Sequence, residues 1–193
     1  MRQRTPSTDV SAALLSAAEA VLERDGLAGL TIRAVVSEAG VAPMGVYSRY
    51  GGKPGLINAL LSRGFVQLKE SIEGASGTGL VRLRSAGLAY RTFALSHQHL
   101  YALMFNHPEA LARSEETLAH AVRSFDALVQ IVADAMARGE LAPTEPVEVA
   151  QAIWSAVHGA VSLELVGIGF TSDRVRTYAS MMDAIIVGFA EPT

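Results

Sequence analysis

Within Val41–Lys53, read as VAPMGVYSRYGGK, two tyrosines and two cations (Tyr47, Tyr50, Arg49, Lys53) crowd into a stretch with one proline and three glycines. Pro43 fits the first position of a helix, where its missing N–H is no loss. A helix begun there points its amino end outward, and its free N–H groups and dipole favour an anion. Other residues suited to chemistry lie further along. Trp154 and His158 in WSAVHG are four apart, hence on one helix face. Tyr90, Phe93, His97, Tyr101, Met104 and Phe105 fall in consecutive helical segments, a composition suited to a pocket for a flat or greasy molecule and equally to an ordinary core.

Catalytic and metal-binding patterns are thin. The sequence holds no P-loop, GxGxxG, HExxH or Glu-x-x-His pair. His97 and His99 are two apart and diverge on a helix; His97 with Tyr101 is a ligand pair with nothing beside it to complete a site. No enzyme activity, metal or cofactor is expected.

The elements that position these residues read as helices throughout, with no alternating hairpin pattern. The expected fold is all-α with about nine helices. A first helix runs from about Asp9 to Arg24, capped by Ser7 or Thr8 and closed by Gly26. Thr31 caps a short second helix that stops at Gly40. The third starts at Pro43 and ends at Gly51 and Gly52. Lys53 and Pro54 open a longer helix that closes at GASGTG, residues 74–79. Beyond this linker come helices near 80–96 and 100–105, a stop before Pro108, and a strongly periodic helix from Leu118 through Phe125 to Met136. A helix after Pro146 reaches about Val166, and a last one, capped by Thr171 or Ser172, ends near Phe189.

Composition narrows the setting. Of 193 residues, 50% are hydrophobic and 18% charged, so either the core is large or some apolar surface is covered by a partner. Self-association follows as an expectation. With no cysteine, disulfides, thiol catalysis and cysteine-ligated zinc are excluded, which fits a reducing cytoplasm. MRQRTPST lacks the apolar core of a secretion signal, and the apolar run 152–170 is broken by Ser155, His158, Ser162 and Glu164, so no membrane span is expected. Net charge is −3, but residues 1–73 hold eight Lys or Arg against seven Asp or Glu, while 74–193 hold eight against twelve. A nucleic-acid contact, if there is one, is therefore local and amino-terminal.

Three short helices, the second and third joined by a tight glycine-containing turn, have the layout of a helix-turn-helix, though any αα corner shares it. The run TIRAVVSEAGVAPMGVYSRYGGKPGLINAL goes further: it resembles the DNA-binding region of the tetracycline-repressor (TetR) family of transcriptional regulators, over about Val10 to Leu61. The resemblance implies a DNA-binding domain in residues 1–52 and a helical ligand-binding and dimerisation domain in 53–193. It implies that Thr31, Tyr47 and Lys53 contact phosphates, that Tyr50 packs in the small domain's core, and that Pro43 to Arg49, including Ser48, form the recognition helix. WSAVHG resembles a tryptophan-histidine-glycine signature of some carboxy-terminal domains in the family, so Phe125, Trp154 and His158 join the six aromatic and soft residues above as the expected ligand-binding set.

The sequence departs from the family pattern. Ala42 stands where Ser or Thr is usual, and Met44 and Gly45 replace Gly and Thr. No Asn, Gln or Arg stands at the amino end of the recognition helix, where bidentate base contacts usually originate. Met44 can touch thymine methyls, Gly45 can let backbone approach the groove, Arg33 or Arg49 can reach guanine or phosphate, and Arg2 and Arg4 can enter a minor groove. The expected function is a homodimeric repressor, paired through its last two helices on a near-palindromic operator and released by a small apolar or aromatic effector. The alternatives are a helical small-molecule-binding module and an all-α enzyme, neither touching DNA.

Overall fold

A computed structural model describes residues 7–106 and 114–190; Arg2, Arg4 and Pro108 lie outside the described residues. Nine helices and no strand occur among them: α1 Ser7–Gly29, α2 Ile32–Ala39, α3 Met44–Tyr50, α4 Lys53–Glu73, α5 Gly79–Ser96, α6 Gln98–Phe105, α7 Glu115–Ala137, α8 Pro146–Leu165 and α9 Arg174–Gly188.

The helix ends follow local chemistry. Gly26, at φ 67°, breaks α1 where the sequence predicts its end, and one further turn carries the chain to Gly29. Oγ1 of Thr31 accepts the N–H of Ala34 at 3.1 Å, capping α2 as expected. Gly51 closes α3 in the left-handed region, with φ 68°. Gly55 then lies so close to the Tyr50 carbonyl that any side chain there would collide with it, which lets α4 follow α3 after only Gly51 and Gly52. Several helix starts differ from the sequence reading: α1 begins at Ser7 rather than near Asp9, α3 at Met44 with Pro43 as its cap residue rather than its first, and α7 at Glu115, ahead of Leu118. α5 begins at Gly79 and α6 at Gln98, each one or two residues early. α9 is capped by Asp173, not by Thr171 or Ser172: its carboxylate accepts the Arg176 N–H at 2.9 Å, while Thr171 is held by the Thr177 hydroxyl. A charged acceptor at a helix amino end outcompetes a neutral hydroxyl.

The described chain forms two compact units, one of residues 7–66, 97–106 and 114–121, the other of 67–96 and 122–190. In the amino-terminal unit α1 packs on α2, α3 and α6. Leu14, Leu22, Val35, Val46, Leu60 and Leu61 have no measurable exposure and form its centre. Two polar clasps join its elements. The Glu23 carboxylate accepts the Leu100 N–H at 2.8 Å and the His99 N–H at 3.3 Å, capping α6 from α1. Buried Thr117 donates to Asn58 and hydrogen-bonds Ser62 at 3.0 Å, tying α7 to α4. In the other unit α5, α8 and α9 pack together around Leu83, Ala150, Val157, Val161 and Met182.

Candidate nucleic-acid interface

α3 is a short helix with two unlike faces. Val46 is fully buried, whereas Met44 is 71% and Tyr47 55% exposed. Met44, Tyr47 and Ser48 fall at the i, i+3, i+4 spacing that shares one face. Ala42 and Pro43 lead into that face and are exposed as well, and Thr31 and Arg33 are exposed at the start of α2. The Tyr47 ring packs over Gly52, 3.8 Å from where a Cβ would stand, so its phenol is carried on a supported ring beside half-buried Lys53.

The remaining members of the expected set turn elsewhere. Gly45 is half-buried, and the side on which a Cβ would stand faces Leu14 of α1 at 3.5 Å. Arg49 donates to the Ser48 hydroxyl at 3.2 Å and lines a cleft of about 600 Å³ with Leu15, Tyr50, Asn58 and Arg63. Ser48 donates in turn to the Gly45 carbonyl at 3.3 Å. The Tyr50 phenol donates to the Ser11 carbonyl at 2.8 Å, joining the end of α3 to α1, and burial raises its pKa.

The aromatic and soft residues expected to bind a ligand divide between the two units. Tyr101 and Met104 are fully buried in the amino-terminal unit, where Phe105 packs on Tyr101 and edge-on to Phe65, with ring centroids 4.9 and 5.9 Å away. His97 precedes α6 in the same unit and is half-buried. In the other unit Phe93 is buried, and Tyr90, Phe125, Trp154 and His158 form one connected cluster. Trp154 Nε1 donates to the Tyr90 oxygen at 3.3 Å, and the Tyr90 hydroxyl hydrogen-bonds His158 Nδ1 at 3.0 Å. Burial lowers the His158 pKa, in keeping with a neutral ring.

An ion pair not anticipated from the sequence stands beside this cluster. Arg91 of α5 grips Glu164 of α8 through Nε and one terminal nitrogen, at 2.8 and 2.6 Å, with side chains 15% and 13% exposed. The carboxylate raises the Arg91 pKa, and the guanidinium stands 5.7 Å from the centre of the Tyr178 ring. The two residues are 73 positions apart, so nothing local in the sequence pairs Arg91, one of three arginines in α5, with Glu164, one of two glutamates in α8. Glu164 and Tyr178 also border an apolar groove of about 400 Å³ with Leu163, Ile168 and Met181, beside a Phe170 exposed along its whole side chain. Among the described residues no helix is long and apolar enough to cross a membrane, and no group of three metal-ligating side chains converges.

Residues 14–60 match the family model described as bacterial regulatory proteins, tetR family, and residues 83–185 the model described as tetracyclin repressor-like, C-terminal domain. No curated protein matches the chain. Among solved structures, a protein of unknown function from Rhodococcus sp. RHA1 is 28% identical, with TM-score 0.83 over 94% of this chain and 96% of its own. A tetR-family regulatory protein from Rhodococcus RHA1 is 19% identical, with TM-score 0.71 over 95% and 98%. NalD, the secondary repressor of the MexAB-OprM multidrug efflux pump in Pseudomonas aeruginosa, is 18% identical, with TM-score 0.67 over 97% and 98%. At such identities the last two likenesses speak for the fold.

Proposed function

The chain belongs to the tetracycline-repressor family of transcription regulators, with that family's amino-terminal helical DNA-binding domain, and within it we propose a homodimeric repressor released from its operator by a small apolar or aromatic molecule. The observation that carries this reading is the outward face of α3: two large side chains, Met44 and Tyr47, stand in solvent on a helix whose opposite side is anchored to α1. A helix presented in this way can enter a major groove, with Thr31, Tyr47 and Lys53 as donors to phosphate and Arg33 beside them. Residues 1–52 act as the DNA-binding domain and 53–193 as the effector and dimerisation domain.

Dimerisation through α8 and α9 is supported by apolar exposure along them. Val147, Leu163, Val175 and Val187 are all more than half exposed, and Ala179, Ala184 and Gly188 are exposed small residues that permit close helix approach. Two such helices from each copy make a four-helix interface with two-fold symmetry. The paired recognition helices then meet successive major grooves about 34 to 36 Å apart on a near-palindromic operator.

The effector is proposed to lie against Phe125, Trp154 and His158, the half-buried members of the carboxy-terminal cluster. Its binding favours a conformation whose recognition helices no longer match the groove spacing, with a coupling free energy of about 1 to 3 kcal/mol. α4, one continuous helix beginning at Lys53, is the proposed lever.

The test is selection of bound duplexes from a random DNA pool, followed by gel shifts across a salt series. A specific complex with a steep salt slope is expected, with Tyr47→Phe weakening it and Lys53→Ala reducing the slope by about one. No enriched duplex, or a slope untouched by Lys53→Ala, would overturn this assignment.

A further inference from the structure

The recognition helix proposed above leaves open how sequence is read, and the chemistry of its exposed face answers this. From Ala42 to Ser48 there is no amide, carboxylate or cationic side chain. The bidentate pairs that discriminate guanine and adenine in the major groove are therefore absent from this face. Ser48 spends its hydroxyl proton on the Gly45 carbonyl, and Arg49 is drawn back to Ser48 and the cleft beside Tyr50. What remains outward and at the front of α3 is apolar: Ala42, Pro43 and Met44, with Met44, at 71%, more exposed than Tyr47.

Only one feature of a base edge in the major groove is apolar, the C5-methyl of thymine. A thioether on an unbranched, flexible side chain is well fitted to cover it. Resting on the DNA-binding reading above, we propose that each operator half-site carries thymines at the steps facing α3, and that Met44, flanked by Pro43, reads them through their methyl groups. Lys53, Thr31 and Tyr47 hold the backbone and contribute no sequence preference.

Replacing thymine by deoxyuridine removes that methyl and nothing else from the groove edge. Duplexes enriched from a random pool are resynthesised with deoxyuridine at each thymine of the half-site in turn, and dissociation constants are measured at fixed salt. The expected result is a loss of about fourfold for each contacted methyl, the effect of exposing one buried carbon. Met44→Ala, a change at an exposed position, should bind thymine and deoxyuridine duplexes equally, whereas Lys53→Ala should weaken both and keep their ratio. An enriched duplex indifferent to deoxyuridine, or a penalty that survives Met44→Ala, would overturn the methyl-reading role and leave DNA binding standing. Failure to enrich any duplex would overturn the DNA-binding reading, and this inference with it.

Discussion

The phenol of Tyr50 reaches across to the main-chain carbonyl of Ser11 at 2.8 Å, so the last residue of α3 is fastened to the second turn of α1. Tyr47, one turn earlier, keeps its phenol in solvent. The same chemical change at these two tyrosines should therefore give opposite results. Tyr50→Phe removes a partly buried hydrogen bond and should lower stability by about 1 kcal/mol, read as a reduced urea midpoint. Tyr47→Phe should leave that midpoint unchanged and weaken DNA binding. Equal midpoints for both variants would contradict the division of labour.

His158 gives the protein a dependence on mild acid. Its folded pKa lies below the ordinary histidine value because burial disfavours the imidazolium, so the unfolded chain takes up the proton first. Stability contributed by the neutral ring is full above about pH 6.5 and is lost as pH falls toward the folded pKa. Unfolding midpoints measured from pH 7.5 down to pH 5 should decline, and His158→Gln, which can still hydrogen-bond Tyr90 but takes up no proton, should flatten part of that decline. Parallel curves for the two proteins would remove His158 as the cause.

The Arg91–Glu164 pair should behave as a buried pair. Glu164→Gln leaves a guanidinium with little solvent and one neutral partner, at a cost of roughly 3 kcal/mol. Arg91→Met combined with Glu164→Leu should recover most of this, because two apolar side chains need no desolvation penalty offset. A double-mutant cycle by denaturant unfolding reads the coupling, and additive losses would mean that the two residues act separately.

Val187, 68% exposed on α9, tests the dimer. Val187→Asp adds a charge to a solvent-facing position and should leave helix content and unfolding midpoint near the parent values at low protein concentration. Sedimentation should shift from dimer to monomer. A variant that still sediments as the parent would place the interface elsewhere than this face of α9.

How much of this could be read from the chain depends on the range of the interaction. The caps at Thr31, Gly40 and Gly51 and the break at Gly26 were legible, because each is settled within four residues by side-chain acceptors or left-handed glycine. The start of α9 was not, because three neighbouring residues, Thr171, Ser172 and Asp173, all qualify as caps, and the chain turns into the helix where the Asp173 carboxylate meets the Arg176 N–H. The nine aromatic and soft residues of the expected pocket share a composition, but composition does not say which of them meet. Packing put Tyr101 and Met104 in one core and joined Tyr90, Trp154 and His158 in another.

The amino-acid order alone determined an all-helical chain, a capped pair of short helices around a proline-led turn, and the tetracycline-repressor affinity, since periodicity, caps and motif spacing are properties of neighbouring residues. The family resemblance already separated an outward Tyr47 from a packed Tyr50; tertiary structure alone decided that the Tyr50 phenol meets the Ser11 carbonyl and that Arg91 finds Glu164. It likewise brought His158 Nδ1 to the Tyr90 hydroxyl, 68 positions away. Contacts between residues so far apart depend on which helix faces pack together, and that choice is made by the whole core rather than by any local stretch of sequence.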